Sequence, residues 1–213
     1  MSRFGSLDSS LGGESYRYSV LLNGGSENLD FSAFASRYGL RLFSNFTYFL
    51  NDPTNGDQFE QLDRRNIFGG TIVWDFLDLE KLSLRHGTEL RADVVKKAGL
   101  YSTRYRTRTS TIRQDAVDWL SLGSFIEAEL DISKAVRAIA GLRGDHTQYE
   151  VKAFREINSG SGEGSILSPK FSLIYSLNER VELYANYGKG FHSNDVRGRT
   201  VTIDPITGNK ITP

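Results

Sequence analysis

Arginine is interleaved with tyrosine and threonine in Tyr101-Ser102-Thr103-Arg104-Tyr105-Arg106-Thr107-Arg108, the densest chemistry in this 213-residue chain. A guanidinium grips carboxylate or phosphate through paired N–H donors, and an aromatic face stacks on a flat ligand. Arg104, Tyr105 and Arg106 are therefore candidate contacts for an anionic ligand. The competing reading is a solvated hairpin whose arginines serve neighbouring loops. A second candidate set is His192, Asn194 and Asp195, which fall together at the loop end of a patterned segment. Direct ligand contact and hydrogen bonding to adjacent strands or loops are both open for them. His86, His146 and His192 lie in separate segments, without the paired spacing of metal sites, so no metal is expected. Gly188-Lys189-Gly190 has no following helix to offer amide donors to a phosphate. Ser161 sits in a glycine-rich run without the strand-to-helix turn of a nucleophile elbow. Cysteine is absent, which removes thiolate chemistry and disulfides. The chain reads as a non-enzyme without a cofactor.

The elements that must position these residues are written in the composition first. Lys+Arg and Asp+Glu both number 26, and this balance argues against a nucleic-acid partner. Hydrophobic residues make up 38%, yet aromatics reach 12%, and 21 Gly stand against 4 Pro, a composition suited to strands and tight turns. No window approaches 18 consecutive apolar residues, so no membrane-crossing helix is expected. The β-barrel route into a membrane stays open. The opening Met1–Glu14 stretch has no apolar core for an export signal, and an exported protein would lack its beginning here.

Apolar and polar residues alternate along most of the chain, as on strands with two unlike faces. Val136, Ala138, Ala140 and Leu142 share one face while Arg137, Gly141, Arg143 and Asp145 share the other. Short polar links near 23–28, 77–81, 131–134 and 177–180 take turns with longer ones near 51–58, 96–117, 152–165 and after 191. Short turns at one end and long loops at the other is the layout of an outer-membrane barrel. The predicted fold is all-β, an antiparallel up-and-down meander of about eight long strands at roughly ten residues per membrane crossing. Residues 29–50 change apolar parity, which calls for either a bulge or a strand projecting past the membrane. Residues 101–112 carry Arg on one alternating face and Tyr/Thr on the other, and read as a hairpin arm standing above the membrane. Trp74, Phe76 and Tyr175 fit an interfacial aromatic girdle. Glu127, Glu129 and Arg143 fall on the inward faces.

Three stretches carry a family resemblance. Ser168-Pro169-Lys170-Phe171-Ser172 leads through a turn into Val181-Glu182-Leu183-Tyr184-Ala185-Asn186-Tyr187-Gly188-Lys189-Gly190-Phe191-His192-Ser193-Asn194-Asp195. Asn45-Phe46-Thr47-Tyr48-Phe49-Leu50 precedes Asn55-Gly56-Asp57-Gln58-Phe59, and Gly141-Leu142-Arg143-Gly144-Asp145 is the third. With these runs the chain resembles the barrel domain of TonB-dependent outer-membrane receptors. The resemblance implies that residues 1–213 are an incomplete arc of a transmembrane β-barrel, about a third of it, with no plug domain and with the carboxyl-terminal strands missing. It also implies residence in the outer membrane of a Gram-negative bacterium and uptake of a scarce nutrient such as siderophore-iron or cobalamin. The implied partners are outer-membrane lipid, the small-molecule nutrient, and the plug and TonB of the full-length protein. Two alternatives are a complete small eight-stranded barrel and a soluble lipocalin-like or β-sandwich binding module.

Overall fold

A computed structural model describes residues 8–190 and 195–212. Alternation becomes eight strands: β1 (Gly12–Gly25), β2 (Leu29–Ser44), β3 (Phe59–Asp78), β4 (Leu82–Arg104), β5 (Thr107–Ser133), β6 (Val136–Ala153), β7 (Gly160–Asn178) and β8 (Val181–Gly188). They form one antiparallel sheet in sequence order from β1 to β8. Pairing stops at β1 and β8, so the sheet is an open arc and neither a closed small barrel nor a two-sheet sandwich. No helix among the described residues is long and apolar enough to cross a membrane.

The short links sit where expected, shortened to two or three residues between β3 and β4, β5 and β6, and β7 and β8. Two of the longer links are corrected. Residues 96–117 are not a loop, because β4 and β5 run on to a hairpin closed by Tyr105 and Arg106. The GSGEGS run lies within β7, where Gly162 stands opposite Tyr149 and Gly164 opposite Thr147. The parity change at 29–50 resolves as projection, since β2 and β3 pair from Leu29↔Trp74 to Ser44↔Phe59 without a register shift.

Register assigns the faces. Phe31, Ala33 and Ala35 on β2 lie opposite Ile72, Gly70 and Phe68 on β3, and the same side continues through Leu90 and Leu122 to Leu142 and Leu167. These large apolar side chains are exposed in the isolated chain, Leu90 at 48% and Ile72 at 56%. Such a continuous apolar band on one side of a sheet requires a nonaqueous neighbour. Trp74, Phe76 and Tyr175 share that side at the short-turn end, with the Trp74 and Phe76 rings 5.6 Å apart. His86 and His146 are also on it, hydrogen-bonded to Ser124 at 3.0 Å and Ser165 at 2.8 Å. The opposite, inner side carries the charges.

Glycines on this sheet make room for rings. Tyr16 faces Gly39, Phe34 faces Gly69, Phe125 faces Gly87 and Tyr149 faces Gly162 across adjacent strands, with each ring occupying the space a Cβ would fill. At Gly69 a Cβ would meet the Phe34 ring at 2.5 Å and, behind it, the Leu90 backbone carbonyl at 3.1 Å. Gly69→Val should therefore destabilise the sheet by about 1–3 kcal/mol. Gly164→Val, with nothing within 4 Å of the added carbon, should change little. Thermal unfolding in detergent, read by loss of the compact gel band, compares the two.

Candidate functional site

The inner face pairs its charges in a recurrent way. Arg and Asp stand two residues apart at Asp63/Arg65, Arg91/Asp93, Arg113/Asp115, Arg143/Asp145 and Asp195/Arg197. Period-2 geometry places both members of a strand pair on one face, so each forms its own ion pair. Arg143 also reaches Glu89 across two strands at 3.1 Å. Glu127 pairs with Lys170, and Glu129 with Arg137 at 3.3 Å. Glu127, Glu129 and Arg143, expected inward, are thus members of a self-neutralised wall. The two-apart Arg/Asp spacing was available in the sequence as the signal for this wall and was not among the predicted sites.

At the long-loop end the wall becomes a site. Val95, Ala98, Val117 and Val151 form a small buried cluster on the inner face, with Trp119, Tyr149 and Val196 packed against it. Val196 belongs to the segment 195–212, which crosses this face. Arg113 donates to the Arg197 carbonyl at 3.1 Å, and Asn158 donates to the Ile203 carbonyl at 2.8 Å while accepting from the Thr202 and Ile203 amides at 3.1 and 2.9 Å. Between segment and wall lies a cavity of about 270 Å³, bordered by Arg65, Arg91, Asp93, Trp119, Asp195 and Arg197. The Arg91 guanidinium sits 5.8 Å from the Trp119 ring centre. The Arg197 side chain holds the Asp195 carboxyl below its ordinary value. A charged guest entering here exchanges one of these partners for itself.

A second cavity of about 830 Å³ opens beneath the β2–β3 loop, bordered by Asn55, Gln61, Phe59, Ser102, Thr109 and Ile206 among others. Two Asp-Pro turns overhang it. Asp52 accepts from the Thr54 and Asn55 amides, and Asp204 from the Ile206 and Thr207 amides. Each turn ends in a glycine with positive φ, 81° at Gly56 and 74° at Gly208.

The predicted arginine set occupies the β4–β5 hairpin tip. Tyr105 and Arg106 have φ of 48° and 67°, as a type I′ turn requires. Tyr105 projects into solvent at 74% exposure. Arg104 donates to Asn55 Oδ1 at 3.2 Å and lies 5.8 Å from the Tyr105 ring centre. Arg106 is occupied by the chain itself, donating to the Ser10 and Leu11 carbonyls at 2.7 and 2.9 Å. The expectation of Arg and Tyr on opposite faces is corrected. Register shifts at Leu100/Tyr101 and Ser102/Thr103 bring Arg108 to the same side as Tyr101, 3.6 Å from its ring centre. Asp195 is on the inner cavity, away from this tip, and His192 and Asn194 lie outside the described residues.

Glu60, missed in the sequence, anchors the arm. Its fully buried carboxylate accepts from Arg41 at 2.8 Å and from Arg108 at 2.5 and 3.0 Å. Burial alone would push this carboxyl up, but the hydrogen bonds and charges of Arg108 and Arg41 outweigh it and hold it below the ordinary 4.5. Its contribution is complete above pH 4.5 and is lost as pH falls through the lower folded value. Glu60→Gln should flatten that acid limb, measured by thermal unfolding between about pH 3 and 7, the range over which carboxylates titrate.

The family model for "TonB dependent receptor-like, beta-barrel" matches residues 2–211. No curated protein matches the chain. Among solved structures, the crystal structure of the ferric citrate transporter FecA in the unliganded form is similar, with a TM-score of 0.58 and 15% sequence identity, covering 82% of this chain. The chain spans 27% of that structure's length, and the likeness is one of fold.

Proposed function

The chain belongs to the TonB-dependent receptor-like β-barrel family, and from that premise we propose that residues 1–213 form one partial barrel domain in the wall of an outer-membrane uptake receptor. Members of the family are outer-membrane transporters of Gram-negative bacteria rather than enzymes, and in general they engage small molecules, a plug domain and TonB. In this reading the apolar side of the sheet lies against outer-membrane lipid and the self-paired inner side faces a plug. The long-loop end is extracellular and captures a scarce nutrient, siderophore-iron, cobalamin or a similar cargo. No catalytic step or cofactor is part of the role.

The observation that supports this most is the division of one open sheet into a continuous apolar side and an inner side whose charges neutralise one another in place. A soluble module would hide the apolar side under a second layer. Within the reading, Arg104 and Tyr105 at the exposed tip meet the cargo first and His192, Asn194 and Asp195 meet it after the tip, while Arg106 joins them only on leaving the Ser10 and Leu11 carbonyls.

The test uses the intact protein that carries this chain, in a Gram-negative host deleted for its own receptors. Outer-membrane fractionation should recover it, and uptake of labelled ferric siderophore or cobalamin should depend on both the protein and TonB. Recovery in the soluble fraction, or uptake unchanged in a strain lacking TonB, overturns the proposal.

A further inference from the structure

Above the apolar band, the outward side sorts its charges by strand. On β2, Ala35 is the last band residue and Arg37 the next outward one, and on β3 Phe68 is followed outward by Asn66 and then Arg64. On β4, Val94 is the last band residue; a register shift leaves Lys96 unpaired as a bulge and turns Lys97 outward, directly opposite Arg64. The outward residues at the corresponding border of β5 to β7 are Asp118, Glu150 and Glu163 instead. From Leu29 to Arg37 is eight residues, about 26 Å along the strand at about 3.3 Å per residue, or about 20 Å of height at the roughly 40° tilt of such strands, which accounts for most of the apolar belt of about 25 Å on an outer-membrane barrel.

Arg64 and Lys97 stand side by side, and Arg37 is the diagonal neighbour of Arg64. Directly opposed residues on one face lie about 5 Å apart and diagonal ones about 7–8 Å. Like charges so placed oppose sheet formation. Among the described residues no ion pair or side-chain hydrogen bond relieves Arg37, Arg64 or Lys97. The nearest outward carboxylate is Asp118, opposite Val94 and so the diagonal neighbour of Lys97, to which it makes no ion pair; Glu14 and Glu60 sit higher, Glu14 opposite Arg41 and Glu60 bonded to Arg41 and Arg108. Tyr18, 68% exposed, is directly opposite Arg37 and suits the headgroup level of a bilayer.

We infer that Arg37, Arg64 and Lys97 form a docking site for the phosphate groups of a phosphorylated glycolipid in the outer leaflet. The inference rests on the outer-membrane reading above. Three unpaired cations at headgroup height, beside a tyrosine and facing away from the lumen, have lipid phosphate as their complementary neighbour. The bulge at Lys96 has the job of turning Lys97 to the lipid side.

The test uses the intact receptor in mild detergent, with tight-binding lipid counted by native mass spectrometry and titrated by fluorescence. The probes are bisphosphorylated lipid A, the same lipid after phosphatase treatment, and inorganic pyrophosphate. Affinity for bisphosphorylated lipid A should fall on the order of a hundredfold in Arg37→Gln/Arg64→Gln/Lys97→Gln, and to a similar degree when the phosphates are removed. Glu150→Gln/Glu163→Gln, on the strands away from the cluster, should bind as the parent does. Equal binding of the two lipids, or an unchanged triple variant, overturns the proposal. So does pyrophosphate alone displacing the lipid at equal concentration, which would mark a free-anion site. Arg64→Gln alone, expected to weaken binding about fivefold, substitutes if the triple variant fails to assemble. Outer-membrane fractionation of the same samples separates failure of this site from failure of the receptor reading.

Discussion

Leu90→Arg is expected to cost about 2–4 kcal/mol of folded stability in a bilayer and to deplete the protein from the outer-membrane fraction. Leu90 lies midway along the apolar band of β4, outward-facing between Gly70 on β3 and Leu122 on β5. A guanidinium there must shed its hydration or drag water to the middle of the hydrocarbon. The adjacent residues of the same strand, Glu89 and Arg91, are already charged and point inward. Thr71→Arg is the matched control, because Thr71 faces inward directly opposite Glu89 and the new charge gains a partner. It should leave fractionation unchanged. Urea unfolding in lipid vesicles supplies the energies. Equal loss in both variants would mean that the lipid and lumen sides are wrongly assigned.

That contrast is legible from the sequence because strand geometry has a period of two, so charge and grease sort onto faces without any tertiary information. Val136 to Asp145 shows the sorting directly, and the alternation of short and long links set the order of the meander. Where the sequence misled, backbone irregularity was responsible. Two register shifts around Leu100–Thr103 carry Arg108 onto the Tyr101 side, and no residue pattern announces a bulge of that kind. The GSGEGS run has loop-like composition, yet its glycines are accommodated in β7 because the Tyr149 ring lies over Gly162. The Arg/Asp pairs two apart were legible and carried the inner wall. Glu60, by contrast, gathers Arg41 and Arg108 from strands 19 and 48 residues away, a convergence that only the sheet register creates. The anchor at Arg106 is longer still, 96 residues from the Ser10 carbonyl it holds.

Asn158→Ala is expected to release the segment 195–212 from the inner face, seen as trypsin cleavage at Arg199 accelerating on the order of a hundredfold, since cleavage follows the population of the open state. Asn158 is 5% exposed and ends the short 3₁₀ turn Glu156–Asn158 between β6 and β7. Its amide donates to the Ile203 carbonyl, and its oxygen accepts from the amides of Thr202 and Ile203. Three part-buried hydrogen bonds to one side chain, at about 1 kcal/mol each, amount to most of what ties to the wall a short segment whose own structure is one helical turn at Arg197–Thr200 and an Ile203↔Lys210 bridge. Val201, 4% exposed, and the Arg113 bond to the Arg197 carbonyl supply the rest. Asn158→Asp sharpens the test: it keeps an acceptor for the two amides but sets a carboxylate oxygen against the Ile203 carbonyl, so its cleavage should rise as well, by less than for alanine. Opening of the segment uncovers the cavity at Arg65, Arg91 and Trp119, so cargo that binds there should bind the alanine variant with a faster association rate. Cleavage at the parent rate in both variants would show that packing of Val196 and Val201, and not Asn158, holds the segment down.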